Sequence, residues 1–242
     1  MEMTILHLFP DFMSLYGEYA NLAVLRRRLE DLGVQVTVRA VNDEDRPDFR
    51  GSDLLYMGAG TEHRQKIALE KLLPVEAELR AAVEAGTLLL FTGNAMEMLG
   101  ASVTDAAGRV WPALALADFI TVETDQRTPG DVVASPALWE APTVGFMNKC
   151  SVTRGITTPL FKELLLGFGN DAEHGAEGYV SGNVLGTHLT GPVLVKNPEF
   201  LEFITRRLYE VKGWECPARL PDLPHQREAY EVTLRELRAR IR

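Results

Sequence analysis

Strand-like and helix-like patterns alternate along the first ninety residues, and this alternation limits the possible folds more than any other feature. Apolar runs of strand length occupy residues 4–9, 34–41, 52–57 and 87–91. Helical periodicity fills 21–32 and 61–85, the latter interrupted at Pro74. Such alternation predicts a largely parallel sheet with helices on both faces. In folds of this class the functional site lies beyond the carboxyl ends of the strands.

The pattern changes in the second half of the chain. Residues 101–155 are rich in short alternating strands, at 118–123, 131–134 and 143–146, as in an antiparallel insertion. A returning strand is predicted at 184–189 and a helix at 198–212. We therefore predict one α/β domain over residues 1–212.

The remaining residues, 213–242, combine a Pro-rich segment with an amphipathic C-terminal helix. The helix has an apolar stripe made of Tyr230, Leu234, Leu237 and Ile241. Such a stripe packs either on the chain's own domain or on a partner protein.

Composition excludes several classes of function. The net charge of −9 argues against a nucleic-acid-binding protein, which normally displays a basic surface. No apolar run approaches the roughly 18–20 residues of a membrane span, and the first residues do not resemble a signal peptide. Two cysteines are too few for a disulfide scaffold, which favours a reducing cytoplasm. Acidic residues and histidines show no metal-ligand spacing, so we predict neither a metal nor a cofactor.

The stretch at 87–97 has the pattern of a catalytic turn without its nucleophile. An apolar strand ends in Thr92, Gly93 and Asn94, and a helix-like segment follows at once. A strand-to-helix turn of this kind raises one residue above the sheet edge and directs backbone N–H groups at a bound ligand. In hydrolases and amidotransferases the raised residue is Ser or Cys. None of the three candidates here is an activated serine or a thiol.

Several short motifs occur in a fixed order along residues 4 to about 212. They are Tyr16-Gly17-Glu18-Tyr19-Ala20-Asn21, Gly58-Ala59-Gly60, Gly145-Phe146-Met147-Asn148, Gly167-Phe168-Gly169-Asn170, Glu177-Gly178, Gly186-Thr187-His188-Leu189-Thr190-Gly191-Pro192 and Lys196-Asn197-Pro198. This series resembles class I glutamine amidotransferases of the cobyric-acid-synthase type, and within them the GatD branch, the glutaminase subunits of lipid II isoglutaminyl synthase.

The resemblance implies a fold, a reaction and a partner. The fold is a flavodoxin-like three-layer α/β domain. The reaction is glutamine hydrolysis by a Cys–His pair, in which a thiolate forms a thioester and the His transfers the proton. Backbone N–H groups after the nucleophile and in the glycine loop hold the oxyanion. The ammonia passes to a Mur-ligase-like subunit, MurT, which amidates the peptide stem of lipid II.

The chain departs from the family at both catalytic positions. Alignment of residues 97–100 on the family's Gln-Leu-Leu-Gly places the nucleophile at Gly93. The His of the family's Tyr-Leu-His-Gly falls on Thr190, so neither catalytic group is intact. His188, at a family Tyr position, is a possible substitute base because residues 188 and 190 share a strand face.

Further changes surround the same pocket. Ala59 replaces a family glycine, Lys149 a histidine, Glu97 a glutamine, and Met147 an acid. Cys150 is a possible relocated thiol, although neighbours in an extended segment point to opposite faces and an inert side chain is the simpler interpretation.

Six residues are predicted to bind a ligand such as glutamine or another small amino acid. They are Gly58, Ala59, Gly60, Arg64, Asn94 and Arg154. Arg64 lies in the first turn of the predicted helix after the glycine loop, where it would assist an anion or simply face solvent. Arg154 would meet a ligand carboxylate or be an ordinary surface arginine.

Three functions follow. The first is a GatD-like subunit that has lost glutamine hydrolysis but still accompanies a MurT-like ligase. The second is an active glutaminase with a relocated nucleophile. The third is a small-molecule binding module. Gly93 and Thr190 argue against an active glutaminase. The motif at 196–198 and the C-terminal stripe favour the GatD-like subunit over the binding module.

Overall fold

A computed structural model describes residues 1–171, 175–221 and 223–241. The strands are β1 (Glu2–Leu8), β2 (Gln35–Val41), β3 (Leu54–Met57), β4 (Leu88–Thr92), β5 (Ser102–Thr104), β6 (Val110–Pro112), β7 (Ile120–Pro136), β8 (Thr143–Arg154), β9 (Phe161–Leu166), β10 (Tyr179–Ser181) and β11 (Val184–Thr187). The α-helices are α1 (Tyr19–Asp31), α2 (Glu62–Leu72), α3 (Glu76–Glu84), α4 (Val193–Lys196), α5 (Pro198–Val211) and α6 (Pro224–Arg238).

The predicted α/β architecture is confirmed. The main sheet has six strands in the order β10-β11-β4-β3-β1-β2, and every neighbouring pair is parallel except β10 with β11. In the pairing register Met57 lies opposite Phe91, and Thr187 lies opposite Thr92. The carboxyl ends of β3, β4 and β11 therefore meet at one edge of the sheet.

Helices cover both faces of this sheet, as the alternation predicted. Leu54 and Tyr56 of β3 belong to a core that includes the apolar faces of α1 and α5, whereas Leu55 and Met57 belong to one that includes α2 and α3. Each fully buried Leu, Ile, Phe or Met side chain stabilises such a core by about 1.5–3 kcal/mol. The result is a three-layer fold that holds its central strands rigidly.

The insertion forms a second sheet in the order β6-β5-β7-β8, with β9 paired to β7. Its pairs are antiparallel except β5 with β7. The two strands predicted at 118–123 and 131–134 are a single strand, β7. The pairing of β7 with β8 shifts register between Glu123 and Thr128, and such a bulge bends a strand without ending it.

The C-terminal helix α6 packs on the chain itself. Tyr230 and Leu237 are buried against Val133 and Val144 of the second sheet, with Leu234 partly buried beside them. The Tyr230 hydroxyl donates to the Pro142 carbonyl oxygen at 2.7 Å. Three of the four predicted stripe residues thus pack within the chain, whereas Ile241 is exposed. Among the residues described, no helix is both long and apolar enough to cross a membrane.

Candidate active site

The turn after β4 raises Gly93 above the sheet edge. Its φ of +62° lies in the left-handed region, which favours glycine, and a 3-10 helix, Gly93–Leu99, begins at this residue. The preceding Thr92 hydroxyl is directed inward, to the buried Glu18 and Tyr56. Gly93, and neither of its neighbours, therefore stands at the position that the family alignment gives to the nucleophile.

The space next to Gly93 is filled by its neighbours. A Cβ atom built at this position would lie 2.4 Å from Ala59 Cβ and 3.1 Å from Thr190 Cγ2. The first distance is far below an ordinary contact between carbon atoms. Two methyl groups thus occupy the room that a larger residue at position 93 would need.

The glycine loop at 58–60 also differs from an open oxyanion site. A Cβ atom at Gly58 would meet Glu18 Cβ at 2.7 Å, and one at Gly60 would meet Met13 Sδ at 2.3 Å, so both positions require glycine. The Gly60 N–H donates to Asn94 Oδ1 at 2.9 Å. A side-chain carboxamide of the protein therefore satisfies a loop amide that faces the turn.

A cavity of about 200 Å³ opens beyond the strand ends. Nine of the residues singled out from the sequence line it, and these are Ala59, Gly60, Gly93, Asn94, Glu97, Lys149, Cys150, His188 and Thr190. The cavity wall also includes ionisable and polar groups that the sequence did not indicate, chiefly Glu62, Arg127 and Ser151. The sheet edge and the β7–β8 hairpin thus form one site.

Three predicted binding residues lie elsewhere. Gly58 supports the loop by its close packing and is not part of the cavity wall. Arg64 is exposed and its guanidinium lies 5.7 Å from the centroid of the Phe12 ring. Arg154 is exposed at the end of β8. Neither arginine is part of the cavity wall.

Thr190 is tied to the backbone rather than to a reacting group. Its N–H donates to the Phe146 carbonyl oxygen at 2.8 Å, and its hydroxyl lies 3.1 Å from the same oxygen. A threonine hydroxyl is in any case no base near neutral pH. Thr190, the residue that the sequence analysis matched to the family His, therefore supplies no base.

His188 is buried between two carboxyl groups. Its Nδ1 lies 3.0 Å from Glu177 Oε1, and its Nε2 lies 3.6 Å from Glu97 Oε1. The carboxylate of Glu177 also accepts from the His188 N–H at 2.7 Å and from the Thr187 hydroxyl at 2.6 Å. Each ring nitrogen therefore faces a carboxylate, Nδ1 that of Glu177 and Nε2 that of Glu97.

The Glu97 carboxylate lines the cavity and is held in place by two hydrogen bonds. It accepts from Gln65 Nε2 at 2.7 Å and from Ser151 Oγ at 2.5 Å. Burial acts to raise the pKa of Glu97, but its contacts with His188, Ser151 and Gln65 outweigh burial and lower it. Glu97 therefore remains ionised inside the protein.

Lys149 contributes a positively charged side chain to the cavity wall. Its Nζ donates to the Asn170 carbonyl oxygen at 2.9 Å, and burial lowers its pKa while the charges of Glu97 and Glu177 act in the opposite direction. Lys149 and Ser151 are buried, whereas the intervening Cys150 is only partly so. This alternation agrees with the expectation that Cys150 lies on the other face of β8, although all three residues line the cavity.

Cys150 is held as a thiol. Its Sγ lies 3.1 Å from Glu62 Oε1 and 3.4 Å from Arg127 Nη2. Burial and the neighbouring Glu62 carboxylate raise the pKa of Cys150 to about 12, against the smaller opposing effect of Arg127. A thiolate is the reactive form, so this residue is a poor nucleophile, and the imidazole of His188 is engaged by Glu177 instead.

Arg127 lines the cavity although no sequence pattern pointed to it. It contacts Glu62 Oε1 at 2.5 Å and lies 3.4 Å from Asn148 Oδ1. It reaches this place because Thr128 pairs with Lys149 across the β7–β8 ladder. The described part of the chain contains no group of three or more His, Cys, Asp or Glu residues placed to hold a metal ion.

Fold, turn and glycine loop together define a class I glutamine amidotransferase scaffold. Residues 4–198 match the CobB/CobQ-like glutamine amidotransferase domain, and the chain belongs to that family. One solved glutamine amidotransferase superimposes with a TM-score of 0.55 at 16% identity, covering 86% of this chain and 98% of the other. A second, from Thermotoga maritima, gives 0.52 at 10% identity, covering 97% and 91%.

Within the family, the chain is similar to GatD, a subunit of the glutamine-hydrolysing lipid II isoglutaminyl synthase. It is 30% identical to the protein of Staphylococcus aureus (strain N315) over 212 residues, or 88% of this chain and 86% of the relative. It is 27% identical to that of Streptococcus pneumoniae (strain ATCC BAA-255 / R6) over 199 residues, or 81% and 76%.

Proposed function

We propose that this protein is a GatD-like subunit of a lipid II-amidating enzyme that does not itself hydrolyse glutamine. The similarity to two GatD subunits over most of the chain supports the first part of this proposal. In this role it accompanies a MurT-like ligase in the cytoplasm, and its two free cysteines agree with a reducing compartment.

The main support for the proposed loss of hydrolysis is the turn at Gly93, where no side chain is present and neighbouring atoms fill the space. Glycine has no side chain to form a thioester. The methyl groups of Ala59 and Thr190 occupy the adjacent space, and Asn94 occupies the Gly60 amide. Removal of one member of a catalytic pair costs about six orders of magnitude in kcat, and removal of the second adds little.

Glutamate release from glutamine tests the loss of hydrolysis. We expect no release above background from the purified protein, alone or with its ligase. A stoichiometric glutaminase activity that disappears in Cys150→Ala would overturn the proposal and establish a relocated nucleophile.

Two measurements test the partnership. Purification from the native host followed by mass spectrometry should recover a Mur-ligase-like protein with this chain. The reconstituted pair should then amidate lipid II with ammonium chloride as the nitrogen source and fail to do so with glutamine. Purification of the chain alone under gentle conditions, with no effect on the ligase when the two are mixed, would refute the subunit role.

A further inference from the structure

Strand β2 forms an open edge of the main sheet. It pairs with β1 on one side, and among the residues described no main-chain hydrogen bond joins its other side to another segment. The Gln35 N–H donates to the Met1 carbonyl oxygen of the β1 side at 2.9 Å. Because alternate residues of a strand direct their main-chain groups to the same side, the main-chain groups of Val36, Val38 and Ala40 face outward.

The other sheet edges in the described part of the chain are short or covered. Strands β6 and β10 have three residues each. The outer edge of β8 is bonded to the Asn197 side chain at Val144 and to Thr190 at Phe146, and β9 is bonded to the segment at 175–177. The seven residues of β2 are therefore the long edge that remains open.

Strand β2 also lacks the features that keep an open edge from pairing. Natural edge strands carry Pro, a bulge or exposed charges. This strand has no Pro, it pairs with β1 without a register shift, and its one charged residue is Arg39. The Arg39 guanidinium is directed within the chain, to the Arg50 carbonyl oxygen and the Ser52 hydroxyl. Nothing in the strand thus opposes the approach of another strand.

Apolar side chains beside this edge are exposed. Val38 is 36% exposed, and Tyr19, in the first turn of α1, is 66% exposed. Together with Leu22 and Ala23 they line a groove of about 410 Å³ between α1 and β2, whose charged rim is formed by Arg26, Arg27 and Glu30. The buried His7 also lines the groove, and burial lowers the pKa of His7 to about 4. Its ring therefore adds no charge at pH 7.

We propose that β2 pairs with β2 of a second copy of this chain, antiparallel and about a twofold axis at Val38. In this register the two Val38 residues exchange both main-chain hydrogen bonds, and Val36 of each copy does so with Ala40 of the other. Of the registers that a twofold axis allows, this one pairs all three outward-facing residues. The main sheets of the two copies then form one continuous sheet.

The side chains are complementary in this register, and this favours a second copy over an unrelated strand. On the α1 face Val38 meets Val38 and Val36 meets Ala40, so the ladder buries apolar groups. On the opposite face Arg39 lies across from Thr37 of the other copy. No like charges therefore meet across the ladder, where they would be destabilising.

This contact leaves the cavity free. The cavity lies beyond the carboxyl ends of the central strands, whereas β2 is the lateral edge of the sheet. The inference goes beyond the proposed function and does not depend on a ligase partner.

Analytical ultracentrifugation of the intact protein at micromolar concentration tests the pairing, and we expect the mass of two chains. Val38→Lys sets two lysines opposite each other and should raise the dissociation constant of the dimer at least a hundredfold. Val110→Lys is the matched control, because Val110 is an exposed valine of the edge strand β6, and it should leave the dimer unchanged. Circular dichroism reports the folding of each variant.

A covalent trap tests the register without a charge change. Val38→Cys, in a background of Cys150→Ser and Cys216→Ser, should form a disulfide-linked dimer on oxidation with diamide. The Cα atoms of such a hydrogen-bonded antiparallel pair lie about 5.5 Å apart, which a disulfide can span. Val110→Cys in the same background should remain a single chain.

The proposal is overturned if the wild-type protein sediments as a single chain, or if Val38→Lys leaves the dimer intact. It is also overturned if Val38→Cys is cross-linked no faster than Val110→Cys, or if Val38→Lys disrupts a complex with a different protein instead of a dimer. None of these outcomes depends on glutamate release or on amidation by a ligase, so failure here is distinguishable from failure of the proposed function.

Discussion

At the scale of single residues, the proposed loss of glutamine hydrolysis depends on three residues rather than one. Gly93 lacks a functional group, Ala59 occupies the space beside it, and the Thr190 hydroxyl is directed to a backbone carbonyl oxygen. Restoration of the thiol alone therefore introduces a steric conflict without supplying a base.

We predict that Gly93→Cys has no glutaminase activity and lowers the free energy of unfolding by about 1–3 kcal/mol. The reasons are the left-handed φ and the 2.4 Å contact with Ala59. Urea denaturation measures the loss. Addition of Ala59→Gly should recover part of it, and the further change Thr190→His should allow weak turnover. Turnover by the single variant would show that another group acts as the base.

We also predict that Cys150 reacts slowly with iodoacetamide, because its pKa is raised to about 12. At pH 8 about one thiol in ten thousand is then ionised, so alkylation in a Cys216→Ser background should be at least 100-fold slower than that of free cysteine. The rate should rise about tenfold per pH unit between pH 7 and 10. Mass spectrometry follows the reaction.

Glu62→Gln provides the control for this explanation. Removal of the carboxylate beside the thiol lowers the pKa of Cys150 and should accelerate alkylation. Equal rates in the two proteins would show that Glu62 does not hold the thiol in its protonated form.

The sequence predicted some of the site residues and could not predict others. The local sequence pattern was sufficient to locate Gly93, Asn94 and the 58–60 loop, because each follows directly after an apolar strand. Arg127 enters the site because of the register in which β7 pairs with β8. A local sequence pattern does not specify the register between two strands.

At the scale of elements, a buried ion pair joins α2 to β7. The side chains of Lys66 and Glu123 form a salt bridge and are each 8% exposed. Truncation of one partner of a buried pair leaves the other charge uncompensated, which is more costly than loss of the pair as a whole.

We predict that Lys66→Met lowers the free energy of unfolding by about 3–5 kcal/mol. The double change Lys66→Met with Glu123→Leu should recover most of this loss. The exposed i,i+4 pair of Arg26 and Glu30 is the control, and Arg26→Ala should cost no more than about 0.5 kcal/mol. Equal losses for Lys66→Met and Arg26→Ala in urea denaturation would contradict the role given to the buried pair.

Elements with strong periodicity were predicted more accurately than short ones. The parallel strands and α1, α2, α3 and α5 correspond to apolar runs or stripes that the core requires. The three-residue strands β5, β6 and β10 and the four-residue α4 were not predicted, because so few residues leave no measurable period. The six-residue β9 was also not predicted, because its sequence does not alternate apolar and polar residues. Its position is set by pairing with β7, that of β10 by pairing with β11, and that of α4 by packing on α1.

At the scale of the whole molecule, α6 closes the outer face of the second sheet. We predict that Tyr230→Ala costs about 3–5 kcal/mol, through loss of its buried ring and of the bond to Pro142. Val232→Ala, at an exposed position of the same helix, should change stability by less than about 0.5 kcal/mol. Unchanged stability of Tyr230→Ala in urea would mean that α6 is available to a partner.

The hydrogen bond between Asn94 and Gly60 has a consequence for any molecule that enters the cavity. The carboxamide of Asn94 belongs to the same chain as the Gly60 amide that it binds. It therefore competes with a ligand for this amide at a high and constant effective concentration. Even short flexible tethers confer local concentrations in the millimolar range, and this side chain is more restricted than such a tether. A metabolite with a carboxamide oxygen would therefore gain no binding free energy from the Gly60 amide. The selectivity of the cavity would depend on its other polar groups instead.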